Sequence, residues 1–266
     1  MAVVGYRNGI AILQLIVFPI VLVAAIFIWK RTGWRVGSKI WRYAVTLSLI
    51  RIAGSISSLL TISNDSYNIK VAVVVCQLIG IAPLLLTFIG LLRQIDVEKR
   101  MPPRPMALLT LVTIIALILG IAGVSSSNGE GGTYRPGKLA KVAMGIFLAV
   151  FVIFVLLSGW LFHELSFSLR RFQKKLFLAI ALSVPLLAVR LVYSAISDYT
   201  TLSAFALNGN TTIYLCMDVL EEIIAMGITM ALGISAILET DFVRLTPVTQ
   251  EDTEPKPMAA RVSSSV

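Results

Sequence analysis

Three carboxylates stand inside the last long apolar stretch of the chain, 213–238: Asp218, Glu221 and Glu222. On a helix, residues three and four apart share a face, so these side chains fall within roughly 100° of one another. A charged side chain at the centre of a bilayer costs at least ~2.5 kcal/mol, so the group requires cations, protons or water as partners. Residue types and spacing therefore indicate either proton-transfer chemistry or a buried network of ion pairs.

Two arginines are the cations best placed to meet these acids. Arg51 lies near the middle of the second apolar stretch, and Arg190 lies in the sixth. Each shares a helical face with serines or other small side chains, which suits close helix packing or ligand contact. Counting residues inward from the outer boundary gives Arg190 nearly the same depth as Glu221 and Glu222. We therefore expect Arg190 to pair with one of these two glutamates.

Two arginines facing three carboxylates leave one negative charge in excess, and a low dielectric disfavours that surplus. One carboxyl is then expected to keep its proton and to serve as a proton donor. We interpret five residues as candidate catalytic residues: Asp218, Glu221, Glu222, Arg190 and Arg51. Three more at a matching depth or on the same faces are candidate substrate-binding residues: Gln77, Tyr193 and Ser55. A purely structural ion-pair network remains open as the alternative.

The elements that carry these residues are predicted to be membrane-spanning helices. Hydrophobic residues make up 57% of the 266-residue chain and charged residues 14%, and the mean hydropathy is +0.88. These values are typical of a polytopic membrane protein. Seven apolar stretches are long enough to cross a bilayer as helices: 9–29, 41–62, 70–92, 106–124, 140–162, 175–197 and 213–238. The predicted fold class is all-α, with seven transmembrane helices.

The distribution of basic residues predicts the orientation of the chain. Fifteen lysines and arginines fall in the odd-numbered loops and the tail, and five fall on the opposite side. The positive-inside rule places the richer side in the cytoplasm, with the amino terminus outside. We divide the chain into a seven-span domain, 1–240, and a disordered cytoplasmic tail, 241–266, whose composition is rich in Pro, Ser, Thr and Glu. The expected location is the endoplasmic reticulum or the plasma membrane.

The sequence lacks the signatures of several classes of protein. The net charge of +9 comes mainly from basic residues in the predicted cytoplasmic loops and tail, where they set the orientation of the chain in the membrane. We therefore expect no nucleic-acid partner. His163 is the single histidine, and Cys76 and Cys216 both lie within apolar stretches, so no cofactor or metal site is expected. The last stretch has no lysine for a retinal Schiff base. The expected partners are the lipid bilayer and an apolar small molecule or lipid.

Four short motifs carry a resemblance to known proteins: Tyr6-Arg7-Asn8-Gly9, Arg51-Ile52-Ala53-Gly54, Gln77-Leu78-Ile79-Gly80-Ile81-Ala82-Pro83 and Glu221-Glu222. In these the chain resembles a broad group of uncharacterised fungal seven-span integral membrane proteins. More loosely, in size and span number, it is similar to small membrane-bound terpene cyclases of fungal meroterpenoid pathways. Those enzymes use intramembrane acids to protonate an epoxide or olefin. They place the acids on well-separated helices, whereas this chain concentrates them on one, so no residue role is carried over.

Three functions follow as alternatives. The favoured one is a membrane-bound cyclase or isomerase of secondary metabolism, in which a protonated carboxyl acts on an isoprenoid or other apolar substrate. The second is a transporter or exporter that handles lipids or drugs. The third is a non-enzymatic seven-span sensor or scaffold, in which the ion pairs only join helices.

Overall fold

The computed structural model describes residues 6–33, 37–38, 40–61, 69, 72–73, 75–76, 79–97, 100–125, 137–166, 169–200 and 211–242. Within these ranges the chain is all-α, as predicted, and no strand occurs. The helices in chain order are α1 (Tyr6–Thr32), α2 (Trp41–Leu60), α3 (Ile81–Ile95), α4 (Pro103–Ser125), α5 (Lys138–Leu165), α6 (Arg171–Tyr199) and α7 (Thr211–Ile237). The predicted tail, 241–266, lies outside the described residues except for its first two.

All the helices except α3 are long and apolar enough to cross a membrane. The shortest of these six spans has 20 residues, which at 1.5 Å per residue covers the ~30 Å hydrocarbon core. Large apolar side chains stay exposed on their outer faces, and Ile20, Val23 and Leu156 are each 67% to 69% exposed. Apolar faces of this extent suit contact with lipid tails. The chain is therefore built as an integral membrane protein.

The predicted third span, 70–92, differs from the others. Its helix α3 has 15 residues, a length of only ~22 Å. Every side chain of α3 is buried except that of Arg93, which is half-buried. The described residues between 69 and 79 are helical, but they do not form one continuous described helix with α3. A count of seven spans therefore stays a prediction.

The helices pack as three close pairs around α3. One pair joins α1 to α2, another α4 to α5, and the third α6 to α7, while α3 contacts α2, α4, α5 and α6. Further contacts of α1 with α7 and of α5 with α6 close the bundle. Because α7 lies between α1 and α6, long side chains of α2, α6 and α7 can meet in the interior.

Polar contacts fasten one end of the bundle, where α3 and α7 finish and α6 begins. Gln173 donates from Nε2 to the Ile95 carbonyl oxygen at 2.8 Å. Lys175 binds the carboxylate of Glu239, just beyond the end of α7, and this hydrogen bond lowers the pKa of Glu239. Of the basic residues that the structure describes, Arg93, Arg100 and Arg171 lie at this end, which is the predicted cytoplasmic side. The orientation itself stays a prediction.

Candidate functional site

The charged side chains of α2, α6 and α7 meet at one place in the bundle interior. Arg51 of α2 is 3% exposed and Arg190 of α6 is 1% exposed, while Asp218 and Glu222 of α7 are 5% and 1% exposed. We call these four residues the ion-pair network. They come from α2 and from the consecutive helices α6 and α7, so the network joins the α1–α2 pair to the α6–α7 pair.

Glu222 is the centre of the ion-pair network. Arg51 donates to it twice, from Nε to Oε1 at 2.7 Å and from Nη2 to Oε2 at 2.5 Å. Arg190 forms an ion pair through Nη1 with the same Oε2 atom. One carboxylate is therefore shared by two guanidinium groups, one of which binds it in the bidentate geometry that arginine favours. The predicted pairing of Arg190 with Glu221 or Glu222 is confirmed, and the partner is Glu222.

Asp218 supplies the second carboxylate and also a backbone acceptor. Arg190 donates from Nη1 to the Asp218 carbonyl oxygen at 2.8 Å. Its Nη2 lies 3.3 Å from Asp218 Oδ1, an ion-pair distance without hydrogen-bond geometry. Asp218 belongs to a π-helical turn, Leu215–Val219, inside α7, and such turns are frequent at functional sites. Two guanidinium groups and two carboxylates make the network neutral overall.

Glu221 stands apart from the other two acids of α7. It is half-buried and forms no ion pair with a described residue, and its Oε2 is buried without a hydrogen-bond partner among them. Neighbouring residues on a helix point about 100° apart. When Glu222 points at the guanidinium of Arg190, Glu221 therefore points in a different direction. The expected group of three carboxylates is thus divided into a paired set and one unpaired acid.

A cleft opens beside the network on the side of Arg51. The empty volume in and beside it, about 340 Å³, includes space open to the surroundings. Arg51 is the one arginine, lysine, aspartate or glutamate among the described residues that line the cleft. The others are apolar, small or uncharged polar residues of α1, α2, α7 and the segment before α3: Ile10, Ala11, Gln14, Ile50, Gly54, Ser58, Cys76 and Tyr214.

Glycines let other segments approach Arg51 and α2 closely. A methyl group on Gly80 would lie 2.8 Å from Arg51 Cζ, and one on Gly54 would lie 2.9 Å from Cys76 Cβ. Real side chains do not tolerate such distances, so the absence of a side chain at position 80 leaves room for the guanidinium. Gly80 is therefore a positioning residue for Arg51.

Replacing Gly80 with alanine should displace Arg51 and weaken its hydrogen bonds to Glu222. We expect a loss of ~1–3 kcal/mol in the free energy of unfolding, the usual cost of overpacking. The melting temperature of the protein in detergent measures this loss. Gly227→Ala is the matched control, because a methyl group there meets nothing within 4 Å and alanine favours a helix. Equal melting temperatures for the two variants would contradict the assignment.

The predicted substrate-binding residues have different positions. Ser55 is buried, and its hydroxyl lies 2.8 Å from the Arg51 carbonyl oxygen and 3.2 Å from Gln14 Oε1. Tyr193 is buried near the π-helical turn, in a small cluster with Ile10, Tyr214 and Val219. Gln77 lies outside the described residues. Ser55 therefore contacts the backbone of Arg51 and a lining residue of the cleft, whereas Tyr193 packs nearby.

Sequence reasoning missed three residues of this region: Gln14, Gly80 and Tyr214. Gln14 carried a usable signal, because it is the one amide or charged side chain in the first apolar stretch, 9–29. Gly80 and Tyr214 carried none, since their roles depend on how distant helices approach one another. Among the described residues, no group of three or more His, Cys, Asp or Glu side chains is arranged to hold a metal ion.

Comparison with known proteins gives one match. A family model described as a domain of unknown function (DUF7702) covers residues 4–239, a range that includes the network and the cleft. Comparisons with curated proteins and with solved structures gave no match.

Proposed function

We propose that this protein, which belongs to the DUF7702 family, binds a small, mostly apolar molecule within the membrane. The family description assigns no activity, so the geometry of the site is the basis for this function. The molecule occupies the cleft, and its polar group meets Arg51. One observation carries this proposal. Arg51 lines the cleft while Glu222 fixes its guanidinium by two hydrogen bonds.

The composition of the cleft supports a ligand that comes from the lipid phase. Ligand sites are mostly apolar concavities with a few precisely oriented polar groups. Ile10, Ala11 and Ile50 supply apolar surface, and Gln14 and Arg51 supply polar atoms. A guanidinium already fixed by a carboxylate loses little side-chain freedom when a ligand binds, which favours affinity.

Photochemical labelling tests this function. The purified protein in lipid nanodiscs is irradiated with hexadecanol, palmitic acid or hexadecyl phosphate, each with a diazirine on its chain. We expect at least one probe to label peptides of the cleft lining saturably. Ser58→Phe, which fills the cleft, should abolish this labelling, and Ser57→Phe, one residue away and not among the lining residues, should retain it. Labelling by no probe, or equal labelling of both variants, would refute the proposal.

The topology proposed with this function has seven spans, an external amino terminus and a cytoplasmic tail, in the endoplasmic reticulum or plasma membrane. The asymmetry of basic residues supports the orientation, and the helical residues before α3 support a third crossing. Epitope tags at the two ends, treated with protease in sealed vesicles whose cytosolic face is outward, test it. The tail tag should be digested and the amino-terminal tag protected, and the reverse pattern would overturn the orientation.

Acid catalysis by Glu221 is a second candidate, favoured by its unpaired Oε2. Ionising an unpaired carboxyl in an apolar span is costly, so Glu221 would hold a proton. It would donate this proton to an olefin carbon or epoxide oxygen and regain one when the product cation loses a proton. This is the cyclase or isomerase chemistry that the fungal resemblance implies, and an isoprenoid of secondary metabolism is the proposed substrate.

Product formation in a heterologous fungal host tests the second candidate. Glu221→Gln should reduce the product by a factor of ~10² or more without reducing the amount of folded protein. Glu164→Gln is the control, because Glu164 is an exposed acid at the opposite end of the bundle. A folded Glu221→Gln variant that forms the product normally would remove this candidate and leave ligand binding unaffected.

A further inference from the structure

We infer that the molecule bound in the cleft has an uncharged head with an oxygen acceptor, such as a hydroxyl or carbonyl group, and an apolar tail. This inference rests on the proposed function and specifies its ligand class. The alternative head groups are anionic, a carboxylate or a phosphate. A buried arginine would ordinarily suggest an anion, so the choice depends on how the charge of Arg51 is already balanced.

The charge of Arg51 is neutralised within the protein. Glu222 accepts two hydrogen bonds from it, and Arg190 is balanced in turn by Asp218 and by its share of Glu222. Glu221 adds either no charge or one more negative charge, according to its protonation. In both states the group of five side chains has no surplus positive charge to offer an anion.

The cleft brings no other cation to the ligand. Apart from Arg51, its described lining residues carry no positively charged side chain. An anion moved into a site of low dielectric without a compensating charge loses several kcal/mol of hydration free energy. A neutral head avoids that cost, because it has no charge to desolvate and its oxygen can accept a hydrogen bond from the protein.

A free donor remains for such a head. The two hydrogen bonds from Arg51 to Glu222 use its Nε and Nη2 atoms, one each. The third nitrogen, Nη1, donates to none of the described residues. A guanidinium carries five N–H donors and no acceptor, which selects an acceptor oxygen in the ligand. Gln14, Ser58 and Tyr214 add uncharged polar groups to the same cleft.

The cleft has room for a head group rather than for a whole molecule. The empty volume of about 340 Å³ in and beside it includes space open to the surroundings. Ile10, Ala11 and Ile50 offer apolar contact beside the polar groups. A single-chain lipid would place its head next to Arg51, and the rest of its tail would extend beyond the cleft.

Competition for the photoprobe site distinguishes the head groups. The diazirine-bearing hexadecanol is held at a fixed concentration, and unlabelled hexadecanol, palmitic acid or hexadecyl phosphate is added. We expect hexadecanol to compete at a concentration at least ~10-fold lower than either anion. Asp218→Asn removes one negative charge from the network without removing an arginine. In this variant the concentrations at which hexadecanol and palmitic acid compete should therefore differ less than in the wild type. Arg51→Gln should weaken labelling by the hexadecanol probe.

Each outcome separates this inference from the proposed function. If palmitic acid or hexadecyl phosphate competes as well as hexadecanol or better, the uncharged head is wrong, while binding in the cleft still holds. If no probe labels the cleft, the proposed function fails, and the inference fails with it. If wild-type preference for hexadecanol is present but Asp218→Asn leaves it unchanged, the uncharged head is supported, and the charge balance of the network is not the cause of the preference.

Discussion

Replacing Glu222 with glutamine is expected to lower the yield of folded protein more than any other single change in the ion-pair network. The substitution keeps the shape of the side chain but leaves two buried guanidinium groups without their shared anion. Stranding one partner of a buried pair costs ~3–5 kcal/mol, which is a large part of the ~5–15 kcal/mol that holds a typical protein folded. Size-exclusion chromatography and thermal unfolding of the purified protein measure the loss.

Glu164→Gln is the matched control for this prediction. Glu164 forms an ion pair with Arg100 at 3.2 Å, but both side chains are exposed, at 45% and 39%. An exposed pair of this kind contributes at most about 1 kcal/mol. If Glu222→Gln and Glu164→Gln were recovered in equal amounts with equal melting temperatures, Glu222 would not be the centre of the network.

Removal of Arg190 is expected to be rescued selectively. Arg190→Leu strands Asp218, whereas Glu222 keeps its two hydrogen bonds from Arg51. Adding Asp218→Asn to Arg190→Leu leaves one complete and neutral Arg51–Glu222 pair, so the double variant should recover much of the lost stability. Adding Glu222→Gln instead strands Arg51 and leaves Asp218 charged, so recovery should be smaller.

A double-mutant cycle measures this difference as a coupling free energy. We expect a coupling of ~1–3 kcal/mol between Arg190 and Asp218. Arg42→Leu, which removes an exposed arginine of α2, is the control and should show no coupling to Asp218→Asn. Equal rescue by Asp218→Asn and Glu222→Gln would contradict the arrangement of partners.

The sequence predicts the spans because lipid selects long apolar helices. Six of the seven predicted stretches correspond to helices of at least 20 residues. The exception is α3, whose side chains are almost all buried against protein. A run of apolar residues looks the same whether lipid or other helices cover it, so hydropathy alone could not show that α3 is an interior helix.

Part of the candidate site was also predictable from the sequence. Depth in the membrane follows from counting residues, and this count brought Arg190 level with Glu222. Rotation of each helix about its axis does not follow from counting, and the π-helical turn Leu215–Val219 changes it further. The choice of Glu222 over Glu221, and the approach of Gly80 to Arg51, therefore required the structure.

The alkylation rate of Cys76 by N-ethylmaleimide, with and without hexadecanol, tests most directly whether the cleft beside Arg51 binds a ligand. Cys76 lines the cleft, and Cys216, the other cysteine of the chain, is exposed and serves as an internal control. Binding in the cleft predicts that hexadecanol slows the reaction of Cys76 saturably and leaves the rate of Cys216 unchanged. An unchanged rate at Cys76, or an equal slowing at both cysteines, would contradict it and leave the ion-pair network as a structural join between helices.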